Sequence, residues 1–551
     1  MEKVWLKSYP QGVPHDIDPH KFQSIMEVVE QTCEKFADQA AFSNFGVDVS
    51  FREVDNLSRN LASFLQNKTN LKPGDRIAIQ LPNILQFPIA AFAVQRAGFV
   101  TVNTNPLYTE REMLHQFNDA GVKAIIICAN FADKLERILS ATDIETVIVT
   151  EIGDLLGVPK RWLVNAVLRY VKKMVPPFKI EGAISLLSAI QVGAQEEYKR
   201  PNLTSEDLAF LQYTGGTTGV AKGAMLTQKN VLANMEQILH WMMPVLSSGR
   251  EVAITPLPLY HIFSLTVNML AFFQYGARNV LITNPRDIPG FIGILKKEPF
   301  SVMTGVNTLF NALLNHPEFA QLNFSRLRVT VAGGMALQGA VARRYQEVTG
   351  TPCVEGYGLT EASPVVCCNP IQGEPQEGSI GLPLPSTDVK ICDEKGNELA
   401  LGDEGELYVQ GPQVMRGYWQ RADETEKVLT HDGWLRTGDV AKLDEQGYVR
   451  IVDRKKDMIL VSGFNVYPNE VEAVIAEYPG VVEVGVIGVP DEKSGEAVKA
   501  YVVCKDPEVS AEAIIAHCRK ELTSYKIPRW VEFRKELPKT NVGKILRREL
   551  R

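Results

Sequence analysis

The segment Tyr213-Thr-Gly-Gly-Thr-Thr-Gly-Val-Ala-Lys222-Gly223 sets four glycines, three threonines and one lysine between two short apolar runs. Glycine allows positive φ and close backbone approach, so such a loop can wrap N–H groups around an anion. Lys222 adds a flexible cation at its rim. The spacing is not that of a Walker A loop, which needs the lysine directly before Ser or Thr; here Lys222 stands between Ala221 and Gly223. The segment reads as a phosphate loop of another design, a cover over a polyphosphate. Taken alone, an ordinary glycine-rich turn has the same composition.

Further along the chain, Val331-Ala-Gly333-Gly334-Met-Ala-Leu337 ends an apolar run in paired glycines, where a flat ring or an acyl chain can lie against bare backbone. A tight strand-to-helix turn is the alternative. In Glu355-Gly-Tyr-Gly-Leu-Thr-Glu361, Gly356 and Gly358 free the backbone around the Tyr357 ring. Thr360 offers a hydroxyl to phosphate and Glu361 a carboxylate to a hard cation, although Glu361 also suits a helix start. Trp434-Leu-Arg-Thr-Gly-Asp439 closes a short strand and turn with a carboxylate, fit to grip two ribose hydroxyls or merely to form a turn. Asp453-Arg-Lys-Lys-Asp457 puts five charges between apolar stretches and reads as a solvated joint between domains. Near the end, Pro538 to Arg548 carries Lys544 beside a glycine turn, a mobile ammonium at a loop tip or a solvated basic tail.

These groups need elements to hold them. Strand-like Arg76–Leu81, helix-like Ile84–Ala97, helix-like Glu110–Ala120 and strand-like Ala124–Cys128 alternate, and the texture resumes from residue 207 to about 350. Alternation of this kind predicts parallel sheets covered by helices. Short strands with turns follow, as at 405–411 and 447–452. A chain of 551 residues exceeds one compact core, so two or more domains are expected. With 58 Lys and Arg against 65 Asp and Glu, the net charge of −7 gives no basic excess and no expectation of nucleic acid. Eight scattered cysteines form no C-x-x-C pair, which fits reduced thiols in a cytosolic protein, with Cys367 and Cys368 as buried small hydrophobes. The N-terminus shows no signal-peptide core, and no run of about 18 apolar residues occurs.

The stretch 158–180 has six basic residues and no acid. At helical spacing Leu163, Val164, Val167, Leu168, Tyr170, Val171, Met174 and Val175 share one arc. Asn165, Arg169, Lys172 and Lys173 share the other with Trp162 and Ala166, and Pro176-Pro177 ends the helix. It reads either as a surface helix docked on its own core or as an interfacial helix resting on anionic lipid. In the second case each Lys or Arg contributes roughly 1 kcal/mol.

In this order and at these separations the motifs resemble the acyl-adenylate-forming (AMP-binding) superfamily of acyl-CoA synthetases, luciferases and carrier-linked adenylation domains. Leu257-Pro-Leu-Tyr-His-Ile-Phe263, Gly305–Phe310 and Asp453–Pro468 are similar to the pattern of its bacterial long-chain fatty-acid–CoA ligases. The resemblance implies an α/β (α+β) fold: a large N-terminal domain over 1–452 with a small β-rich part, a hinge at 453–456, and a small mobile C-terminal lid over 457–551. It implies that Thr214, Gly215, Gly216, Thr217, Thr218, Gly219 and Lys222 cradle the β- and γ-phosphates of ATP. Tyr357, between Gly356 and Gly358, would stack on adenine against Gly333 and Gly334, in a pocket that Glu355 completes. Thr360 would touch the α-phosphate, Glu361 hold Mg²⁺, and Asp439 and Arg454 hold ribose. Lys456 would be the pivot, and Lys544 would bridge the carboxylate and the α-phosphate. Tyr260, His261, Phe263, Val306, Asn307 and Gly333 would border the acyl group, and Ser462 and Gly463 would meet coenzyme A. His261 would gate thiol access or be a packed aromatic-cluster histidine.

What the resemblance implies is activation of a long-chain fatty acid with ATP and coenzyme A at the cytoplasmic face of the inner membrane, a homodimer being left open. Medium-chain or aryl acids, and loading of a carrier protein, are the alternative enzyme readings. A non-catalytic acyl-nucleotide or membrane binder is the alternative of another class.

Overall fold

The computed structural model describes residues 2–214, 221–373, 375–491, 493–540 and 543–551. The apolar runs of the N-terminal part pair as parallel strands. One sheet has seven strands in the order Ile184–Ser185, Thr146–Thr150, Val122–Cys128, Arg76–Gln80, Val100–Asn103, Leu208–Thr214 and Lys222–Thr227. All its pairings are parallel except the last. A nine-stranded sheet is parallel through its centre, with Val252–Thr255, Val302–Gly305, Val329–Ala332 and Cys353–Gly358 side by side. Helices cover both sheets, and their ends are locally encoded. Thr109 and Glu112 form a capping box at the start of Glu110–Ala120, and Gly121 closes it in the left-handed region.

Two smaller sheets follow. Asp388–Cys392, Gly405–Gln410, Leu435–Leu443 and Val449–Arg454 form an antiparallel meander. The C-terminal part has a five-stranded sheet built on the long hairpin Val481–Asp491 and Gly495–Cys504, flanked by helices Pro468–Ala476 and Ala511–Glu521. Its apolar interior (Val466, Val471, Ile475, Val484, Val486 and neighbours) is a separate cluster from the large N-terminal core. The expected mixed α/β architecture is therefore present, and Cys367 and Cys368 are buried as anticipated.

Two expectations need correction. The charged run at 453–457 is not uniformly solvated: Asp453 is fully buried at the end of the strand Val449–Arg454, paired with Val440. The helix in the basic stretch runs over Lys160–Ala166, widens to a π turn at Val167–Val171 and stops before Lys172, well short of Pro176. Its two arcs are also not sorted as the spacing predicts. Asn165 and Arg169 turn inward, where the Asn165 amide donates to Asp154 and accepts from the Gly153 N–H, and Arg169 pairs with Glu151. Only Val164 and Leu168 pack on the core. Trp162 (63% exposed), Leu163 (66%), Tyr170 (74%) and Val171 (71%) face outward.

Candidate active site

A cavity of about 1850 Å³ opens where the C-terminal ends of the parallel strands, the meander and the C-terminal part meet. Crevices beyond the carboxyl ends of strands are where open α/β sheets bind ligands. Thr214 ends one strand and Lys222 begins its antiparallel neighbour, so the two residues are register partners that bring both ends of the intervening loop to the cavity wall. Gly215, Gly216, Thr217, Thr218 and Gly219, assigned to phosphate, lie outside the described residues.

The strand Cys353–Gly358 delivers Glu355, Gly356, Tyr357 and Gly358 to the cavity, and the following short turn delivers Thr360 and Glu361. Gly358 has no room for a side chain, because a β-carbon there would lie 2.2 Å from the Pro364 carbonyl oxygen. At Gly333 a β-carbon would come within 2.9 Å of the Phe263 ring and 3.2 Å of the Gly356 carbonyl oxygen. Bare backbone is thus a packing requirement at both places. Gly334, with φ +78°, lines the cavity beside it.

The Tyr357 hydroxyl donates to Asp439 Oδ2 at 2.5 Å, and Arg454 Nε lies 3.5 Å from the other carboxylate oxygen. Asp439 and Arg454 face each other across two antiparallel strands, so register alone joins an anion and a cation at the cavity rim. The Glu361 carboxylate accepts the Tyr418 hydroxyl at 2.6 Å. Tyr418 in turn lies under the Lys222 ammonium, 4.7 Å from the ring centroid, and Lys222 pairs with Glu424 at 2.5 Å. On the strand that ends at Thr214, the Tyr213 hydroxyl donates to Asp119, which also accepts an Arg421 N–H, each at 2.6 Å. Asp119, Tyr418, Arg421 and Glu424 were missed from sequence. Their partners are distant in the chain and no local pattern marks them.

Lys544 enters from the C-terminal part, on a turn closed by its N–H to Thr540 Oγ1 (3.0 Å) and by the Thr540 N–H to its own carbonyl (2.7 Å). Burial, and then the Arg454 charge, pull its ammonium down to about 7 against the opposing attraction of Asp439. His261, whose Nδ1 accepts the Phe263 N–H, is pulled down to about 4 by burial and by Lys544, so it is neutral at physiological pH. Burial also pushes the Glu355 carboxyl up to about 8. Tyr260, Phe263, Val306, Asn307 and Lys456 line the same cavity. Ser462 and Gly463 do not; they sit at the exposed turn between Ile459–Val461 and Phe464–Val466.

The same cavity is also lined by buried apolar side chains, Ile238, Trp241 and Met242 of one helix and Val267. These residues were also missed. The helix Gln228–Met242 is buried on nearly every side, so it lacks the one-sided apolar stripe that marks a facing surface. Glu361 brings one carboxylate to the cavity wall, and magnesium is an ion commonly held by one or two carboxylates together with substrate phosphates. Among the described residues no group of three or more His, Cys, Asp or Glu side chains converges as a metal cage.

The chain resembles known proteins over its whole length. It is 55% identical over 551 residues to the long-chain-fatty-acid–CoA ligase of Salmonella typhimurium, covering all of this chain and 98% of that protein. It is 39% identical over 553 residues to the protein of the same name in Bacillus subtilis, with the same coverage. Among solved structures, ATP-bound MatB from Rhodopseudomonas palustris superposes with a TM-score of 0.82 at 29% identity, over 96% of this chain and 98% of that one. Residues 29–419 match the AMP-binding enzyme model and residues 470–544 its C-terminal domain model, and the protein therefore belongs to the AMP-binding enzyme family.

Proposed function

We propose that the chain is an AMP-forming long-chain fatty acid–CoA ligase. In the first step a carboxylate oxygen of the fatty acid attacks the α-phosphorus of ATP. The new oxygen–phosphorus bond forms as the bond to the departing pyrophosphate breaks. In the second step the thiolate of coenzyme A forms a carbon–sulfur bond with the acyl carbon, and AMP leaves. A carboxylate oxygen is a poor leaving group until it is part of AMP, which is why two steps are needed. The first step brings two anions together, so cations must dominate the site. Lys544 would bridge the carboxylate and the α-phosphate, Lys222 would neutralise the outer phosphates, and Asp439 with Arg454 would hold ribose. Glu361 would hold the magnesium ion that accompanies the triphosphate, where it would neutralise charge. No protein nucleophile is required.

The observation that carries this reading is a single cavity whose lining includes both the polar Lys222, Lys544, Asp439 and Arg454 and the buried apolar Ile238, Trp241 and Val267. The relatives' names support the long-chain acid. In this reading residues 1–452 hold the nucleotide, and residues 457–551 swing about 453–456, with Lys456 as pivot, to exchange Lys544 for the hairpin of Ser462 and Gly463 when coenzyme A arrives. The exposed Trp162, Leu163, Tyr170 and Val171, with Lys160, Arg161, Lys172 and Lys173 nearby, support reversible seating on an anionic lipid surface. No helix among the described residues is long and apolar enough to cross a membrane. The test is AMP and pyrophosphate release across a series of acids, with and without coenzyme A. Palmitate should give both products. A response confined to aryl or medium-chain acids would replace the substrate assignment.

A further inference from the structure

The joint at 453–456 contains more than a flexible connector. Arg547, three residues beyond Lys544, turns its guanidinium into the C-terminal part rather than into water. It meets Glu472 Oε2 at 2.8 Å, Asn469 Oδ1 at 2.5 Å, Asp453 Oδ1 at 3.2 Å and Asp457 Oδ2 at 3.5 Å. Glu472 and Asn469 belong to the helix Pro468–Ala476, and Asp457 lies just past the joint. Asp453 is the joint's first residue, still on the last strand of the meander and ahead of the Lys456 pivot, and is fully buried. Its second oxygen accepts the Asn469 N–H at 2.7 Å. Both of Asp453's long-range partners are therefore on the other side of the pivot.

Three carboxylates share one guanidinium here, and among the described residues the other partners of Asp453 and Glu472 are main-chain N–H groups. Breaking a buried pair by removing one partner strands the other charge in a poorly solvated site. Any swing of residues 457–551 must pull Arg547 and the Asn469 N–H away from Asp453. Until water replaces them, the Asp453 carboxylate keeps, among the described residues, only the N–H of its neighbour Arg454, at 2.7 Å. At its far end the same strap is placed by the Thr308 hydroxyl, which donates to the Gly543 carbonyl at 3.2 Å.

We propose that Arg547 is a positioning residue. By spanning Asp453 and Glu472 it holds the Lys544 strap in the orientation used for acyl-AMP formation, and release of the Asp453–Arg547 contact accompanies the change to thioester formation. This rests on the two-step ligase reading. It adds that the balance between the two orientations is set by a charge pair in the cavity wall at the joint, to which the two-step reading gives no role.

Asp453→Asn tests it, because the amide keeps the shape and an oxygen for the Asn469 N–H while removing the charge. Formation of palmitoyl-AMP from palmitate, ATP and magnesium should fall about tenfold. Thioester formation from supplied palmitoyl-AMP and coenzyme A should be unchanged or faster. Arg547→Lys, whose point charge cannot span both carboxylates, should give the same split, and it decides the matter should Asp453→Asn fail to fold. Equal losses in both half-reactions, or no loss in the first, would overturn the role. A wild-type chain that forms no palmitoyl-AMP would overturn the ligase reading and this inference with it. A wild type that forms it, with variants showing no split, would remove the inference alone.

Discussion

Lys222 and Glu424 form a direct ion pair, Nζ to Oε2 at 2.5 Å, at the exit of the glycine-rich loop. Two hydrogen-bonded lysines, Lys222 and Lys427, hold the Glu424 carboxyl down at about 2, so it is ionised throughout the physiological range. In the proposed reading a nucleotide phosphate competes with this carboxylate for Lys222. The pair is partly exposed, and solvent screens such pairs, so it is weak. Glu424→Gln should therefore lower KM for ATP by a factor of about 3 with kcat little changed, measured as pyrophosphate release. A rise in KM would show instead that Glu424 orients Lys222 for the phosphate.

Replacing Lys544 by Ala should reduce acyl-AMP formation by 10²-fold or more, the scale of losing one preorganised charge at a developing anion. Thioester formation from supplied acyl-AMP should be largely retained. Rapid-quench assays of the separate half-reactions check this.

The depressed Lys544 ammonium also makes a proton count. Without substrates it titrates at about 7, and two arriving anions favour its charged form. Binding of ATP and fatty acid at pH 8 should take up a proton, seen as a buffer-dependent heat in calorimetry and lost in Lys544→Ala. Its effect on folding has a definite sign. The folded-state value lies below the unfolded 10.5, so the unfolded chain binds more protons between pH 7 and 10.5, and this group's contribution to stability rises with pH across that window. Glu355 acts oppositely. Its folded value of about 8 lies above 4.5, so its contribution falls as pH rises from 4.5 to 8, and Glu355→Gln should flatten that part of a melting-temperature profile.

In the apolar lining of the cavity, Ile238→Trp should shorten the accepted chain. Excluding two or three methylenes at roughly 0.8 kcal/mol each would lower kcat/KM for palmitate by about 2 kcal/mol, roughly thirtyfold, while decanoate is little affected. Competition between the two acids reads the shift.

For the outward helix, two sets of changes separate electrostatic from apolar seating. Gln at Lys160, Arg161, Lys172 and Lys173 should release the protein from anionic vesicles and leave no salt dependence. Ser at Trp162, Leu163, Tyr170 and Val171 should weaken binding at every salt concentration. Co-sedimentation unchanged in both sets would return the helix to a purely structural role.

Local rules carried much of the architecture. The limits of Glu110–Ala120 follow from the residues at its two ends, and the parallel strands are visible as short apolar runs. The motif residues of the cavity were legible for the same reason, since each sits in a short stretch of glycine, hydroxyl and charge. What escaped is whatever depends on a partner far along the chain. Asp453 reads as solvated until Arg547, ninety-four residues later, is beside it. Asn165 and Arg169 read as an outward polar arc until Asp154 and Glu151 claim them. Trp241 carries no mark because its helix is enclosed all round.

At two points the strap and hairpin of the C-terminal part meet the rest of the molecule through main-chain oxygens. Thr308 donates to the Gly543 carbonyl and Asn311 to the Val482 carbonyl. A carbonyl oxygen is present whatever side chain a position carries. These two contacts are thereby insulated from sequence drift on that side, and a segment grafted from a distant relative should keep them so long as the backbone path is preserved.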